Sequence, residues 1–286
     1  MGGVNSTQRR AASYRSDGSF RKLLGFELHR SIINKYFVVA ILLFVLFEVL
    51  SEPSLFWGNN GEISIYDVTE YTAFSQFQKM LPCICALPHA LSAIVDFESG
   101  YVRTIRLRKS RESYVMAKMV STYFSSLIVA IIGLTLTYIW LSWNCSSEIS
   151  ITEWNAASYA LQNNYGWIVY WLTHIAVRAS LIAVWSLFTL LVWSITLIQS
   201  IAVLSPLVAM YAIDIILSLL ASTGGLGTAI YSFYCQYPYT YIMYGYAPFP
   251  QAGDYLRAGL IAWSAIGLPL FICDYFCLNR RSEKYV

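Results

Sequence analysis

The chain has 286 residues, of which 57% are hydrophobic, 16% aromatic and only 12% charged, and its mean hydropathy is +0.53. A soluble domain carries about a quarter charged residues, so this composition cannot cover a globular surface in water. It excludes a water-soluble enzyme, a disordered tail and a nucleic-acid-binding module. For such a chain the quantity set by length is the number of membrane spans.

The formal net charge is only +3, but the charges are unevenly placed. Of 19 Lys and Arg residues, seven lie in 1–35, six in 96–118 and three in 278–286, leaving Lys79, Arg178 and Arg257 for the rest. Basic excess marks segments retained in the cytoplasm, so these three stretches are predicted to be internal. Segment 51–75 carries Glu52, Glu62, Asp67 and Glu70, segment 144–166 carries Glu148 and Glu153, and neither has a Lys or Arg. Those loops are predicted to be external.

The polar leader 1–19 precedes a stretch, 20–35, in which Phe20, Leu24, Leu28 and Ile32 recur every four residues with Arg21, Lys22, Arg30 and Lys35 beside them. That spacing predicts an amphipathic helix lying in the inner interface, with extension of the first span as the alternative. The leader lacks the pattern of a cleavable signal peptide, so the first span is expected to be a retained anchor. Apolar runs long enough to cross about 30 Å of hydrocarbon fall at roughly 33–52, 77–97, 116–141, 172–197, 201–220 and 257–277. The first is short in strictly apolar residues and has Glu48 near its outer end.

Six spans place both basic termini, including the tail 278–286, on one side. The fold class expected is therefore an all-α integral membrane protein with its six-span domain over 33–277. Pro206 is expected to break the chain between the fourth and fifth spans, because its ring excludes the carbonyl four residues back. The external segment 221–256 contains YSFYCQYPYTYIMYGY at 231–246, seven of whose sixteen residues are Tyr. Tyr favours the headgroup level, so an aromatic belt is expected there, with a ligand-stacking platform as the alternative.

Chemistry-bearing motifs are absent from the sequence. It has no Walker-type phosphate loop, no Gly-x-Ser-x-Gly, no paired-Cys zinc spacing and no His-Glu-x-x-His, and its three histidines, His29, His89 and His174, are isolated in sequence. No catalytic, cofactor-binding or metal-binding residue is predicted. Cys145 and Cys235 both fall in segments placed outside, which allows a disulfide between them; free thiols are the alternative. Charges within apolar runs usually face a partner or a cavity. Arg178 in the fourth span and Asp214 in the fifth are expected to pair, the alternatives being a snorkelling Arg178 and an Asp214 facing a transport path.

The most informative stretch is DFESGYVRTIRLRKSRESYVMAK at 96–118, between the second and third spans. Acids (Asp96, Glu98) precede bases (Arg103, Arg106, Arg108, Lys109, Arg111), the order a helix dipole favours. Gly100 permits a sharp turn into a short helix that puts Val102, Ile105 and Arg106 on one side, suited to a groove in a soluble partner. Basic residues that only retain the loop inside and meet anionic lipid are the alternative.

This loop and the segment LLGFELHRSIINKYF at 23–37 together resemble the permease subunits of type-2 ATP-binding-cassette exporters, the bacterial drug, bacteriocin and lantibiotic efflux and immunity permeases. The family's elbow-helix pattern Leu-Leu-x-x-Glu-Leu-x-Arg is matched by Leu23, Leu24, Glu27, Leu28 and Arg30, and its loop pattern by Glu98, Gly100, Ser110, Arg111, Tyr114, Ala117 and Lys118. The Gly follows Glu98 after one residue rather than several, and Lys109 stands where the family usually has Pro.

The resemblance implies a cytoplasmic coupling loop at 97–112, with Phe97, Glu98, Ser99, Gly100, Tyr101, Arg103, Thr104, Arg106 and Leu107 as its ATPase-coupling residues. It also implies two separate cytoplasmic ATPase subunits that carry the ATP and Mg, a second permease copy as a homodimer rather than a heterodimer, contact with membrane lipid, and a bacterial plasma membrane location. The chain itself is then no enzyme. Peptides, bacteriocins and lantibiotics are the first substrate class, with drugs, lipids and polysaccharides as alternatives. A passive channel or a non-transporting membrane scaffold is the competing class of function.

Overall fold

A computed structural model of the chain describes residues 20–51, 76–99, 110–145, 156–222 and 252–283, with the isolated positions Ile65, Val68 and Gly225. Among the described residues every regular element is helical: α1 (Phe20–Ile32), α2 (Lys35–Leu50), a 3-10 turn (Gln76–Met80) leading into α3 (Leu81–Glu98), α4 (Arg111–Asn144), α5 (Ala156–Tyr165), α6 (Trp167–Thr196), α7 (Gln199–Ser222) and α8 (Ala252–Glu283). Four of them, α4, α6, α7 and α8, are long and apolar enough to cross a membrane, and α1 with α2, bent by 58°, make a fifth if taken as one span. The leader 1–19, residues 100–107 of the coupling loop, Cys235 and the tyrosine-rich stretch at 231–246 lie outside the described residues.

The long helices overrun the apolar stretches that predict them. The third expected span, 116–141, is the middle of a 34-residue helix, because Ser110 caps its start by accepting from the Ser113 N–H at 3.3 Å, with Glu112 in the first turn. Likewise α8 runs from Ala252 through Glu283, so residues 252–256 leave the expected loop and 278–283 leave the expected tail. Both join the helix because polar residues continue a helix beyond the apolar core at no cost in unpaired backbone groups.

The joint between α6 and α7 falls where the expected spans 172–197 and 201–220 put it, but Pro206 is not what makes it. Pro206 lies inside α7, and the break is at Leu197, which adopts a left-handed conformation (φ 62°) and donates its N–H to the Trp193 carbonyl at 2.9 Å. Trp185, twelve residues before Leu197, shares a cluster with Met210, twelve after Ile198. The two helices therefore fold back on each other as a hairpin. The carbonyl that Pro206 leaves without a backbone donor, that of the buried Ala202, accepts instead from the Ser205 hydroxyl at 2.6 Å, so the proline makes no break there.

α6 is the axis of the bundle and packs against α3, α4, α5, α7 and α8. Of its most apolar eighteen residues 67% are buried, against 22% for α7 and 17% for α8. The outward faces of α7 and α8 carry Ile215, Ile216, Leu219, Leu260, Ile261, Ile272 and Phe276, all more than half exposed. In water such a face would be an aggregation surface; in a bilayer it is what lipid covers.

Close helix contacts rest on small residues. At Gly133 of α4 a Cβ would run into the ring of Phe44 on α2, and at Gly259 of α8 into Val177 of α6. Phe44 is fully buried and cannot swing away. Gly133→Ala should therefore lower stability by about 1–3 kcal/mol, read as a lower thermal midpoint of the detergent-solubilised protein. Gly25→Ala, where an added Cβ meets nothing within 4 Å, should leave the midpoint unchanged or raised.

Candidate functional site

The described residues gather their buried charges at two ends of the bundle. At the first, Glu27 of α1 is fully buried and its Oε2 accepts from Lys118 Nζ of α4 at 2.6 Å. Lys118 also meets Asp96 Oδ2 of α3 at 2.5 Å, while Arg30 Nη1 reaches Asp96 Oδ1 at 2.5 Å. Two carboxylates and two cations thus neutralise one another across three helices. Ser92 Oγ accepts from Lys118 at 3.4 Å, and the ring of His89 lies between Ser92 (3.3 Å) and Ser121 (2.8 Å).

Helical spacing places these groups together. His89, Ser92 and Asp96 fall at steps of three and four on α3, and Tyr114, Lys118 and Ser121 do the same on α4. The inward face of α1 is centred on Leu23, Glu27 and Ser31, all buried, while Leu24, Leu28 and Arg30 are half-buried and Ile32 is exposed. The expected stripe 20–24–28–32 is thus rotated by about one position, because the buried ion pair, rather than the apolar residues, sets which face turns inward. Arg111, at the start of α4, completes this end by pairing with Glu283 at 2.6 Å and hydrogen bonding to Asn279 near the end of α8.

The second cluster sits at the opposite end. Arg178 Nη2 meets Glu48 Oε1 at 2.7 Å, each side chain 2% exposed, and donates to Gln78 Oε1. Gln78 Nε2 in turn donates to Glu48 Oε2 at 2.9 Å and Ser51 Oγ at 3.2 Å. Tyr170, His174 and Arg178 form one stripe of α6; His174 stacks on Tyr170 with centroids 5.8 Å apart and hydrogen bonds to Tyr138 of α4. Lys79 pairs with Asp214 and lies 4.3 Å from the Tyr211 ring centroid.

The structure therefore corrects the expected Arg178–Asp214 pair. Each has another partner, Glu48 for Arg178 and Lys79 for Asp214. The signal for this was present in the sequence: Glu48 ends one apolar run and Lys79 begins the next, so the chain returns them to the same level of the bundle as the two intramembrane charges. Phe97 and Glu98 are the last residues of α3 and Ser99 its exposed terminal turn. Gly100, Tyr101, Arg103, Thr104, Arg106 and Leu107 fall outside the described residues, as does any bond between Cys145 and Cys235.

Ser121 and His89 are spaced like a nucleophile and its base, but both are fully buried and the Ser121 hydroxyl is shared with the Lys118 carbonyl at 3.0 Å. That pair is structural. Asp274 of α8 is fully buried with neither carboxyl oxygen hydrogen bonded. Among the described residues no group of three or more His, Cys, Asp or Glu could hold a metal ion. What the arrangement provides is mechanical: the first cluster clamps α1 to the two helices that flank 99–110. Comparison of the chain with protein families, with characterised proteins and with solved structures yields no match.

Removing one member of a buried ion pair leaves the other charge uncompensated, at a cost of about 3–5 kcal/mol. Lys118→Met should therefore unfold or strongly destabilise the protein in a detergent thermal-shift assay, and adding Glu27→Gln should recover part of the loss. In a double-mutant cycle, Arg178→Met and Glu48→Gln should show coupling above about 1 kcal/mol, whereas Arg178→Met and Asp214→Asn should add within about 0.5 kcal/mol.

Proposed function

We propose that the chain is the permease subunit of an ATP-driven exporter of the second ATP-binding-cassette type, working in a bacterial plasma membrane. In this reading α2, α3, α4, α6, α7 and α8 are six spans, both termini are cytoplasmic, and α1 is the elbow helix at the inner interface. Two separate ATPase subunits bind ATP and Mg, a second copy of the chain completes the pathway, and the cargo is an amphipathic molecule, a peptide, bacteriocin or lantibiotic before a drug, lipid or polysaccharide.

The observation that carries this reading is the ion cluster of Glu27, Arg30, Asp96 and Lys118. Asp96 stands immediately before the 97–107 segment and Lys118 two residues into the third expected span, so the cluster holds both flanks of that segment to α1. A push delivered to 97–107 by a closing ATPase would reach α1 and α3 through side chains whose separation is very costly in a low-dielectric setting. From α1 it would pass through the 58° bend into α2, and from α2 to α4 through the Phe44–Gly133 contact. The sorting of charged helix ends into two clusters supports the six-span count, since α3 ends and α4 begins at the first cluster, while α2 ends and α6 begins near the second.

The test is co-expression with a candidate ATPase, purification in nanodiscs and measurement of ATP hydrolysis with and without peptide. An ATPase should co-purify, and its rate should respond to peptide. Reversing Arg103→Glu and Arg106→Glu should abolish that response while the chain stays folded in the membrane. A chain that purifies folded and alone, or a reversal variant with full coupling, overturns the proposal.

A further inference from the structure

Where α4 ends and α6 begins, a cavity of about 440 Å³ opens between α4, α5 and α6, a size that takes a drug-sized molecule. Its walls are the rings of Tyr138, Trp167 and Trp171. Trp167 and Trp171 are one turn apart on α6, Trp171 lies 4.1 Å from Tyr138 between centroids, and the Trp167 indole is 60% exposed. Two of the hydroxyls lining the cavity accept rather than donate. Thr135 and Ser142 spend their hydroxyl protons on the Ile131 and Ile139 carbonyls of their own helix at 2.7 Å, so what they offer the cavity is lone pairs.

Gln162 supplies a further acceptor. Its Oε1 is buried with no hydrogen-bond donor, and such an atom costs about 1–3 kcal/mol unless a partner arrives. Its position is fixed by the turn from α5 into α6, where Gly166 takes a positive φ of 81° and donates its N–H to the Gln162 carbonyl at 2.6 Å.

Charge points the same way. No Lys, Arg or His lines the cavity among the described residues. The segments that contribute Ile65 on one side, and Cys145 and Gln162 on the other, together carry Glu52, Glu62, Asp67, Glu70, Glu148 and Glu153 with no basic residue. The nearest buried cation, Arg178, is neutralised by Glu48. Aromatic faces, unpaired acceptors and contributing segments of acidic rather than basic sequence are together the complement of a cation that donates hydrogen bonds from an apolar body.

We propose that this cavity binds the ammonium group of an amphipathic amine, with the Gln162 carbonyl accepting one N–H and the Trp167 and Trp171 faces covering the apolar part. As the outer subsite for an exporter's cargo the assignment rests on the function proposed above; as a binding site it stands on the cavity alone. The full chain in neutral maltoside detergent, with no ATPase present, is titrated calorimetrically with phenethylammonium and with its uncharged counterpart 2-phenylethanol. The amine should bind saturably and at least tenfold more tightly than the alcohol.

Gln162→Leu removes no internal side-chain hydrogen bond and Trp167→Ala alters an exposed ring, so both variants should stay monodisperse, and each should weaken amine binding about tenfold. Equal binding of amine and alcohol, or undiminished amine binding by both variants, overturns the site. A chain that binds the amine in this way but recruits no ATPase keeps the site and overturns the exporter, and the converse result does the reverse.

Discussion

Everything at one end of this bundle depends on a single lysine. Lys118 is 2% exposed in a helix long and apolar enough to cross a membrane, where an uncompensated ammonium would be prohibitively costly. Two carboxylates from two other helices answer it, and the second of these, Asp96, draws in Arg30 in turn. The consequence is positional. A short amphipathic helix would otherwise be held only by the partition of its apolar face, which leaves it free to rotate about its axis; Glu27 fixes α1 in rotation and in depth against α3 and α4.

The opposite end uses the same principle with different chemistry. There the charges Glu48 and Arg178 are bridged by an amide, Gln78, whose carbonyl faces the guanidinium and whose NH₂ faces the carboxylate and Ser51. A primary amide suits the gap between unlike charges because it presents a donor and an acceptor from one planar group. Beside it the aromatic and imidazole rings of Tyr138, Tyr170 and His174 provide polarisable surroundings, so this end is wrapped in rings whereas the first is wrapped in hydroxyls. Between the two ends the contacts are apolar and small, as at Gly133 against Phe44 and Gly259 against Val177.

Much of the helical layout was legible because hydrophobic run length is a direct reading of the solvent: the expected runs coincide with the cores of α2, α3, α4, α6, α7 and α8. Helix ends were not legible to the same degree, since the polar turns that extend α4 and α8 depend on caps and ion pairs, such as Ser110 and Arg111, rather than on apolarity. The α6–α7 joint lies where the expected spans meet, but its cause was misassigned, because proline is a strong sequence signal whereas a Leu in the left-handed region is decided by tertiary packing and carries none. The charged clusters were the least legible. Glu27 and Lys118 stood out only through a family pattern, and Arg178 was matched to the wrong carboxylate because pairing was argued from neighbouring spans. The actual partner, Glu48, lies 130 residues away; its place at the end of an apolar run sets it at the right level of the bundle, but nothing local to Arg178 picks it out over Asp214.

Two ion-paired ends joined by apolar helices constrain how such a molecule can move. Separating the members of either cluster exposes unpaired charge in a medium that does not solvate it, so helices within a cluster are expected to move as one body. The joints then carry the change in angle: the bend between α1 and α2 at 33–34, the turn at Gly166, and the break at Leu197–Ile198. Of these only Gly166 and Leu197 have positive φ, and only Leu197 does so against its own side chain, where the left-handed conformation costs on the order of 1–2 kcal/mol. A hinge already strained in one state loses less on leaving it. At the α6–α7 break that release is opposed, because Asp214 of α7 is held by Lys79 in the second cluster; α7 therefore moves with that cluster, α1, α3 and α4 stay locked together around Lys118, and the bend between α1 and α2, which joins one cluster to the other along the chain, is the joint left to carry the change in angle.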